Sequence, residues 1–192
     1  MHKKKGTVCM IIGALLLLSA LALALYNKWD ADRAAKASEE IVSEIKDNIG
    51  NSDKTYDDMP TVEIDGNIYI GFIDVPTLNL TLPVMLEWDY EKLKISPCRY
   101  SGSYLNDDMV IAGHNYARHF SPLKWVDMGT EVYFTNVNGD VYEYYVDNRE
   151  TIKPDEVDDM ITKTDWDLTL FTCTTGGGSR CTIRCTRVKD NQ

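Results

Sequence analysis

The stretch that decides the fold is Leu168–Cys173, which reads Leu-Thr-Leu-Phe-Thr-Cys: an apolar, β-prone run that ends in a cysteine. Three glycines at 176–178 follow and predict a turn. A second β-prone run then begins at Arg180. A thiol at a strand end is well placed for nucleophilic chemistry, and a guanidinium on the neighbouring strand can stabilise an oxyanion or hold a peptide carbonyl.

A cysteine nucleophile also needs a base. The candidate is His114, in the sequence Val-Ile-Ala-Gly-His-Asn at 110–115. Because 59 residues separate it from Cys173, the sequence alone does not show that the two meet. The rival His119 lies in a segment that predicts a loop. Arg184 rivals Arg180, since strand alternation puts both on one face, but Arg180 lies nearer the cysteine along the hairpin.

These motifs together resemble the sortase family, cysteine transpeptidases of Gram-positive cell surfaces. The resemblance rests on Thr-Leu-Phe-Thr-Cys at a strand end, an arginine at the start of the next strand, and Ala-Gly-His-Asn upstream, and it covers residues 62–188. It implies that Cys173 is the nucleophile, His114 the general acid, and Arg180 the group that holds the substrate carbonyl or oxyanion. Thr172, whose position lines the substrate groove in the family, and Asn115 are assigned to substrate binding.

The reaction implied by the resemblance is acyl transfer in two steps. Cys173 would attack a peptide bond in a sorting motif of the Leu-Pro-x-Thr-Gly type near the C-terminus of a surface protein. An amine of a cell-wall precursor or a pilin would then resolve the thioester. Two alternatives stay open: an exported cysteine peptidase that only hydrolyses, and a non-catalytic surface β-domain.

The subclass is read from the regions around the motifs. The stretch between Tyr145 and Thr169 is too short for the long inserted helix of class B sortases, although the Gly-His-Asn context is not unlike theirs. No Asp-Pro-aromatic lid of the class C kind precedes the barrel region. We therefore expect an enzyme of the class A or D kind, or a short class B-like one.

The N-terminus predicts a membrane anchor. Three lysines at 3–5 precede an uncharged, apolar stretch at 6–27, and about 20 apolar residues suffice for a helix that spans a bilayer. The positive-inside rule then predicts a single-pass protein with a cytoplasmic N-terminus and an extracellular catalytic domain. The alternative is a cleaved signal peptide, since Ala-Leu-Ala-Leu-Ala at 20–24 resembles a cleavage region, but the apolar run exceeds the usual signal core.

The whole chain divides into three parts by composition. We expect residues 1–27 to form the cytoplasmic tip and anchor, 28–60 a juxtamembrane helix and flexible linker, and 61–192 the catalytic domain. Helical spacing of Ala34, Ala37, Ile41 and Ile45 predicts the juxtamembrane helix.

After Pro60 the chain is a series of short β-prone runs separated by turn signals, such as Asn-Gly-Asp at 138–140. This pattern predicts a closed barrel or a sandwich, and the resemblance implies the eight-stranded sortase barrel with short helices. The predicted helices lie near 89–93, 120–124 and 155–160, and the predicted strands span 68–73, 80–85, 109–112, 131–135, 141–146, 168–172 and 180–188.

Charge and cysteine content limit the partners. The net charge of −10 argues against nucleic acid, which binds basic surfaces. No Cys/His spacing suggests a zinc site, and we expect no cofactor. The acidic cluster at 155–159 could bind calcium, but its residues also suit the solvated first turn of a helix. Cys181 and Cys185 are too far apart along a strand to form a disulfide with each other. A disulfide from Cys98 to either of them stays open.

Overall fold

The first helix, α1, runs from His2 to Asp47 without a break. In the computed structural model, which describes residues 2–52, 54–162 and 165–189, the chain divides into two compact units, the first ending at Arg33 and the second beginning at Ala34. The helical segment Gly6–Asp47 is long and apolar enough to cross a membrane by length and composition. The predicted apolar segment is therefore helical, and the predicted anchor and juxtamembrane helix form one continuous helix.

The part of α1 in the second unit is amphipathic and packs on the outside of the β-structure. Its buried face recurs at helical spacing: Ala34, Ala35, Ser38, Ile41, Val42 and Ile45. Ile41, Val42 and Ile45 share a hydrophobic cluster with Tyr69 and Phe72. Burial of this apolar stripe fixes the helix to the strands.

Ten strands and two short α-helices follow. The strands are β1 Lys54–Tyr56, β2 Met59–Ile64, β3 Asn67–Val75, β4 Leu80–Met85, β5 Cys98–Ser101, β6 Met109–Ala112, β7 Glu131–Asn136, β8 Val141–Ile152, β9 Leu168–Cys173 and β10 Arg180–Arg187. The helices are α2 Tyr90–Leu93 and α3 Val157–Ile161, and two 3₁₀ turns span Pro76–Leu78 and Ser121–Trp125.

Eight of these strands close into a barrel. The order around it is β3-β4-β5-β6-β9-β10-β8-β7, and pairing of β7 with β3 completes the circle. β1 and β2 extend the sheet outside the barrel from β3. Two neighbouring pairs, β4–β5 and β6–β9, are parallel, and the other pairs are antiparallel. The predicted closed eight-stranded barrel is thus confirmed.

Strand alternation decides which side chains fill the barrel. On β6 and β9, the inward residues Met109, Ile111, Leu168 and Leu170 belong to the main core. The residues between them point outward, and Val110 and Phe171 join a second apolar cluster on the outer face with Met160 of α3. Any catalytic group at the ends of these strands is therefore held between two packed layers.

The structure extends the predicted secondary structure in two places. β5 was missed because it is only four residues long and follows Pro97 directly. Part of the predicted flexible linker instead forms the β1–β2 hairpin, whose turn residues Asp57 and Asp58 both have left-handed φ angles, of 47° and 62°. The three short predicted helices are confirmed as α2, the second 3₁₀ turn and α3.

The open question about Cys98 is answered by its position. Cys98 lies in the cluster under α1, whereas Cys181 and Cys185 lie inside the barrel. Each cysteine in the described part of the chain is a free thiol. Burial raises the pKa of the Cys98 thiol to about 12 and raises that of Cys181 and Cys185, so these three thiols are held in the unreactive form.

Candidate active site

The parallel pair β6–β9 brings together the strands that lead into His114 and Cys173. Ala112 pairs with Phe171, and the Gly113 N–H donates to the Phe171 carbonyl at 2.9 Å. The pairing ends there, two residues before His114 and Cys173, so the contact between their side chains stays a prediction. Because Phe171 faces outward, alternation along β9 puts the Cys173 side chain on the outer face of the barrel.

The β9–β10 hairpin brings the arginine to the same place. Arg180 is the direct cross-strand partner of Cys173, and directly opposed residues of an antiparallel pair lie on one face with their Cβ atoms about 5 Å apart. The turn between them requires glycine, since Gly176 and Gly177 have φ angles of 87° and 76°. The turn is braced where the Ser179 N–H donates to the Thr174 hydroxyl at 3.2 Å.

The two candidate arginines have different surroundings. The half-buried Arg180 guanidinium donates to the carbonyls of Gly177 and Ser179, both at 3.2 Å, within the turn. The Arg184 side chain is only 5% exposed and ion-pairs with Glu150 at 2.8 Å. It also donates to the carbonyls of Asp159 and Met160. Arg184 is therefore committed to holding α3 against the barrel, and Arg180 is the arginine beside the thiol.

The loop after His114 is tightly packed. The Phe120 N–H donates to the His114 carbonyl at 3.2 Å, and the Tyr116 ring stacks on the His114 ring with their centroids 3.9 Å apart. A Cβ on Gly113 would lie 2.3 Å from the Phe120 ring, so only glycine fits between the strand and the loop. These contacts fix the backbone that carries the His114 side chain.

The rival histidine is buried behind this loop. His119 is fully buried, and loss of water lowers its pKa from 6.5 to about 4, with the nearby His114 acting in the same direction. A hydrogen bond with the backbone of Ala34 raises the pKa by more than His114 lowers it, but by less than burial does. His119 is therefore neutral at neutral pH; neither it nor His114 is among the described residues that line the groove beside Cys173, although Gly113, next to His114, is.

A groove of about 170 Å³ runs along the outer face to the thiol. Its floor includes Ala112, Phe171 and Cys173, and one wall comes from Pro154 and Met160 of the β8–β9 connection. A larger groove of about 460 Å³, between α1 and the start of β4, contains none of the predicted site residues. The smaller groove is the one that ends at the candidate nucleophile, Cys173.

The other wall of this groove is a row of aromatic rings that the sequence analysis missed. Trp88 stacks on Tyr100 at a centroid distance of 5.4 Å, and Tyr90 meets Trp88 edge-on at 5.2 Å. Tyr100 in turn meets Phe171 edge-on at 5.3 Å, which brings the row to within two residues of Cys173. The sequence does show several aromatic residues around α2. They can be predicted to line one groove only once β5 is recognised as a barrel strand.

The two predicted substrate-binding residues occupy different positions. Thr172 contributes to the groove but alternates with Leu168 and Leu170, so its buried side chain points towards the barrel interior. The Asn115 side-chain oxygen accepts a hydrogen bond from Lys124 and lies outside the described lining of the groove. The substrate-binding roles of both stay predictions.

The acidic cluster before and within α3 is arranged as a helix start. Glu156 ion-pairs with Lys153 at 2.7 Å, and Asp158 and Asp159 occupy the first turn of α3. Within the described residues, no group of three or more His, Cys, Asp or Glu side chains could hold a metal ion. The expectation that this chain works without a metal stays a prediction.

Comparison with protein families decides the identity of this barrel. The model of the family described as Sortase domain matches residues 73–188, more than half of the 192 residues, and the match includes His114, Cys173 and Arg180. The chain belongs to the sortase family. A sortase is in general a cysteine transpeptidase, and the free thiol at the end of the groove is consistent with that chemistry. A search of curated protein sequences gives no match.

Solved sortase structures share the fold. Sortase C1 of Streptococcus agalactiae is 25% identical, with a TM-score of 0.59, and the match covers 83% of this chain and 90% of that one. Sortase A of Corynebacterium diphtheriae is 19% identical, with a TM-score of 0.58, over 84% of this chain and 86% of that one. A Clostridium perfringens sortase D5 is 18% identical, with a TM-score of 0.56, over 79% and 89%. These near-equal scores do not separate the subclasses, so the assignment to class A or D, or to a short class B-like enzyme, stays a prediction.

Proposed function

We propose that this sortase is a membrane-anchored transpeptidase that cleaves a C-terminal sorting motif of the Leu-Pro-x-Thr-Gly type and transfers the acyl group to an amine of the cell wall or of a pilin. The observation that carries the proposal is the pairing of Arg180 with Cys173 at the end of the groove, with His114 two residues beyond the strand that pairs with β9. Such a set supplies a nucleophile, a proton carrier and a cation for an oxyanion.

In the first step, the Cys173 thiolate attacks the carbonyl carbon of the scissile peptide bond. The oxyanion that forms is stabilised by the Arg180 guanidinium, which would turn from the Gly177 and Ser179 carbonyls towards the substrate. The His114 imidazolium gives its proton to the leaving amine as the C–N bond breaks. The products are a thioester on Cys173 and a released C-terminal fragment.

In the second step, the acceptor amine attacks the thioester carbonyl. The neutral His114 takes a proton from the attacking amine, and the C–S bond breaks to regenerate the thiolate. The new peptide bond leaves the enzyme in its starting protonation state. Hydrolysis would follow the same course with water as the nucleophile, so the choice of acceptor is a matter of access to the thioester.

The groove suits the apolar part of such a motif. Leu93 and Met160 offer an apolar surface for the leucine, and the aromatic row of Trp88 and Tyr100 offers flat rings on which a proline can pack. An extended proline-containing peptide is already ordered before it binds, so less entropy is lost in this groove. The scissile bond then falls at the Cys173 end.

The location at the membrane is supported by the apolar part of α1. Three lysines precede the apolar segment, so the positive-inside rule puts the N-terminus in the cytoplasm and the barrel outside. Substrates that are themselves exported would then meet the groove at the outer surface.

The proposal is tested with the full-length protein in detergent micelles. Wild type, Cys173→Ala and the control Cys181→Ala are incubated with a library of Leu-Pro-x-Thr-Gly-like peptides, with and without triglycine, and products are read by mass spectrometry. Wild type and Cys181→Ala should give a thioester adduct and an amine-joined product, and Cys173→Ala neither. Cleavage without joining would favour the peptidase, and absence of any adduct in the wild type would contradict the proposal.

A further inference from the structure

The loop that carries His114 is attached to α1 through a buried polar pair. Ser38 is fully buried on the face of α1 that packs on the barrel, and its hydroxyl lies 3.4 Å from Nε2 of His119. The same hydroxyl donates to the Ile95 carbonyl at 3.3 Å. Serine interrupts an otherwise apolar face here, and a buried polar pair is stable only when its hydrogen bonds are made.

Ring contacts lead from this pair to the candidate catalytic histidine. His119 meets the Tyr116 ring nearly edge-on at a centroid distance of 5.4 Å. The opposite neighbour of Tyr116 is His114, stacked at 3.9 Å with an interplanar angle of 20°. The His114 ring thus packs on Tyr116, and the Tyr116 ring packs on His119.

The surface contact between the same two segments is of a different kind. Arg118 ion-pairs with Glu39 at 2.6 Å, but both side chains are more than half exposed, at 55% and 63%. An exposed ion pair contributes little and weakens further with salt. The buried contacts of His119 with the Ser38 hydroxyl and the Ala34 backbone thus connect the loop to α1.

We propose that Ser38 and His119 are positioning residues for His114, so that residues 34–47 of α1 are part of the catalytic apparatus and not only a stalk. This inference rests on the proposed role of His114. His119 acts as a neutral hydrogen-bonding group, and the charged residues of α1 next to Ser38 in sequence, Lys36 and Glu39, are exposed. Removing either member of the pair loosens the packing of His119 against Tyr116 and thereby displaces the His114 ring.

The test uses the full-length protein in micelles with Ser38→Ala, His119→Gln and the control Ile45→Ala. Ile45 is as deeply buried on the same helix face but packs in a cluster away from the His114 loop. Two quantities are measured: kcat and KM for peptide transfer, and the pH dependence of Cys173 alkylation by iodoacetamide, mapped by mass spectrometry. Alkylation needs no sorting motif, so it reports on the thiol and its imidazole partner even if the substrate assignment fails.

Ser38→Ala and His119→Gln should lower kcat about tenfold with little change in KM, because a small displacement of a catalytic group is costly. Both should also shift the pH at which alkylation is half-maximal, whereas Ile45→Ala lowers the thermal midpoint and leaves that pH unchanged. A pH profile that does not move in the two variants would overturn the proposal. An equal shift in Ile45→Ala would overturn it as well, since the effect would then belong to helix packing in general.

Discussion

Arg184 and Glu150 form an ion pair at 2.8 Å between neighbouring strands, four residues along β10 from Arg180. The Arg184 guanidinium reaches onward to the carbonyls at the end of α3 and to the Thr169 hydroxyl at 3.0 Å. Met160, which lines the groove, is thereby held by an arginine four residues further along β10 from the one that pairs with Cys173. Two arginines on one face of one strand thus have separate tasks.

Replacing Arg184 by alanine is expected to lower the free energy of unfolding by about 2 to 3 kcal/mol, because backbone carbonyls and the Glu150 carboxylate lose their buried donor. The figure stays at the low end because the Glu150 side chain is 39% exposed. KM for the peptide should rise as the Met160 wall loosens. Urea unfolding and peptide kinetics measure both effects.

The matched variant is Arg180→Ala. Its half-buried side chain makes only local turn contacts, so the loss of stability should not exceed about 1 kcal/mol. Loss of the oxyanion partner should lower kcat by about 100-fold or more. If Arg184→Ala proved stable but inactive and Arg180→Ala active, the two roles would have to be exchanged.

Gly113→Ala should misplace the His114 loop. The added methyl group would lie 2.3 Å from the Phe120 ring, and overpacking of this kind costs about 1 to 3 kcal/mol. We expect a loss of kcat of about tenfold or more, since His114 follows directly. The double variant with Phe120→Leu makes room for the methyl group and should recover part of kcat. A single variant with wild-type kcat would show that the loop accommodates the methyl group without moving His114.

We expect His119 to contribute to the pH dependence of the free energy of unfolding. Its pKa is about 4 in the folded protein and near 6.5 when unfolded, so between these values the unfolded chain binds more protons. Stability is then expected to fall as the pH decreases from about 6.5 to about 4, by about 3 kcal/mol from this residue. Chemical unfolding at several pH values measures the slope. His119→Gln should be less stable at pH 7 but flatter over this interval, and an unchanged slope would contradict the assignment.

The aromatic row should act on substrate binding and not on chemistry. Trp88→Ala removes the ring that joins Tyr90 and Tyr100, and it should raise KM for a sorting-motif peptide several-fold with kcat unchanged. Trp125→Ala is the control, because Trp125 is 79% exposed and outside the groove. Equal effects of the two replacements would remove the aromatic row from the substrate path.

The positions of the main strands could be predicted from the sequence because their signals are local. Leu168–Cys173 and the run that follows Arg180 alternate or run apolar over enough residues to be recognised, and the glycines between them predict the turn. The barrel and the expected meeting of His114 with Cys173 came from the resemblance, because parallel pairing of strands so distant in sequence as β6 and β9 leaves no trace in spacing.

What the sequence did not reveal depends on tertiary contacts. The β5 strand is too short to show a period, and the aromatic row is formed only when β5 lies beside β6. Similarly, Ser38 and His119 are 81 residues apart, and neither has a neighbour in sequence that predicts their contact. Alternation alone puts Arg180 and Arg184 on the same face of β10. Choosing between them required the observation that Arg184 is buried.

The parallel neighbours β6 and β9 also set a time at which activity can begin. β9 and β10 come from the last part of the described chain, and β9 must insert between β6 and β10 before His114 has its neighbour. Pairing between segments so distant in sequence forms late, after the local hairpins. In a nascent chain, the thiol and the guanidinium are therefore made after the other barrel strands, β3–β8, have begun to emerge, and the β6–β9 pair cannot form before then.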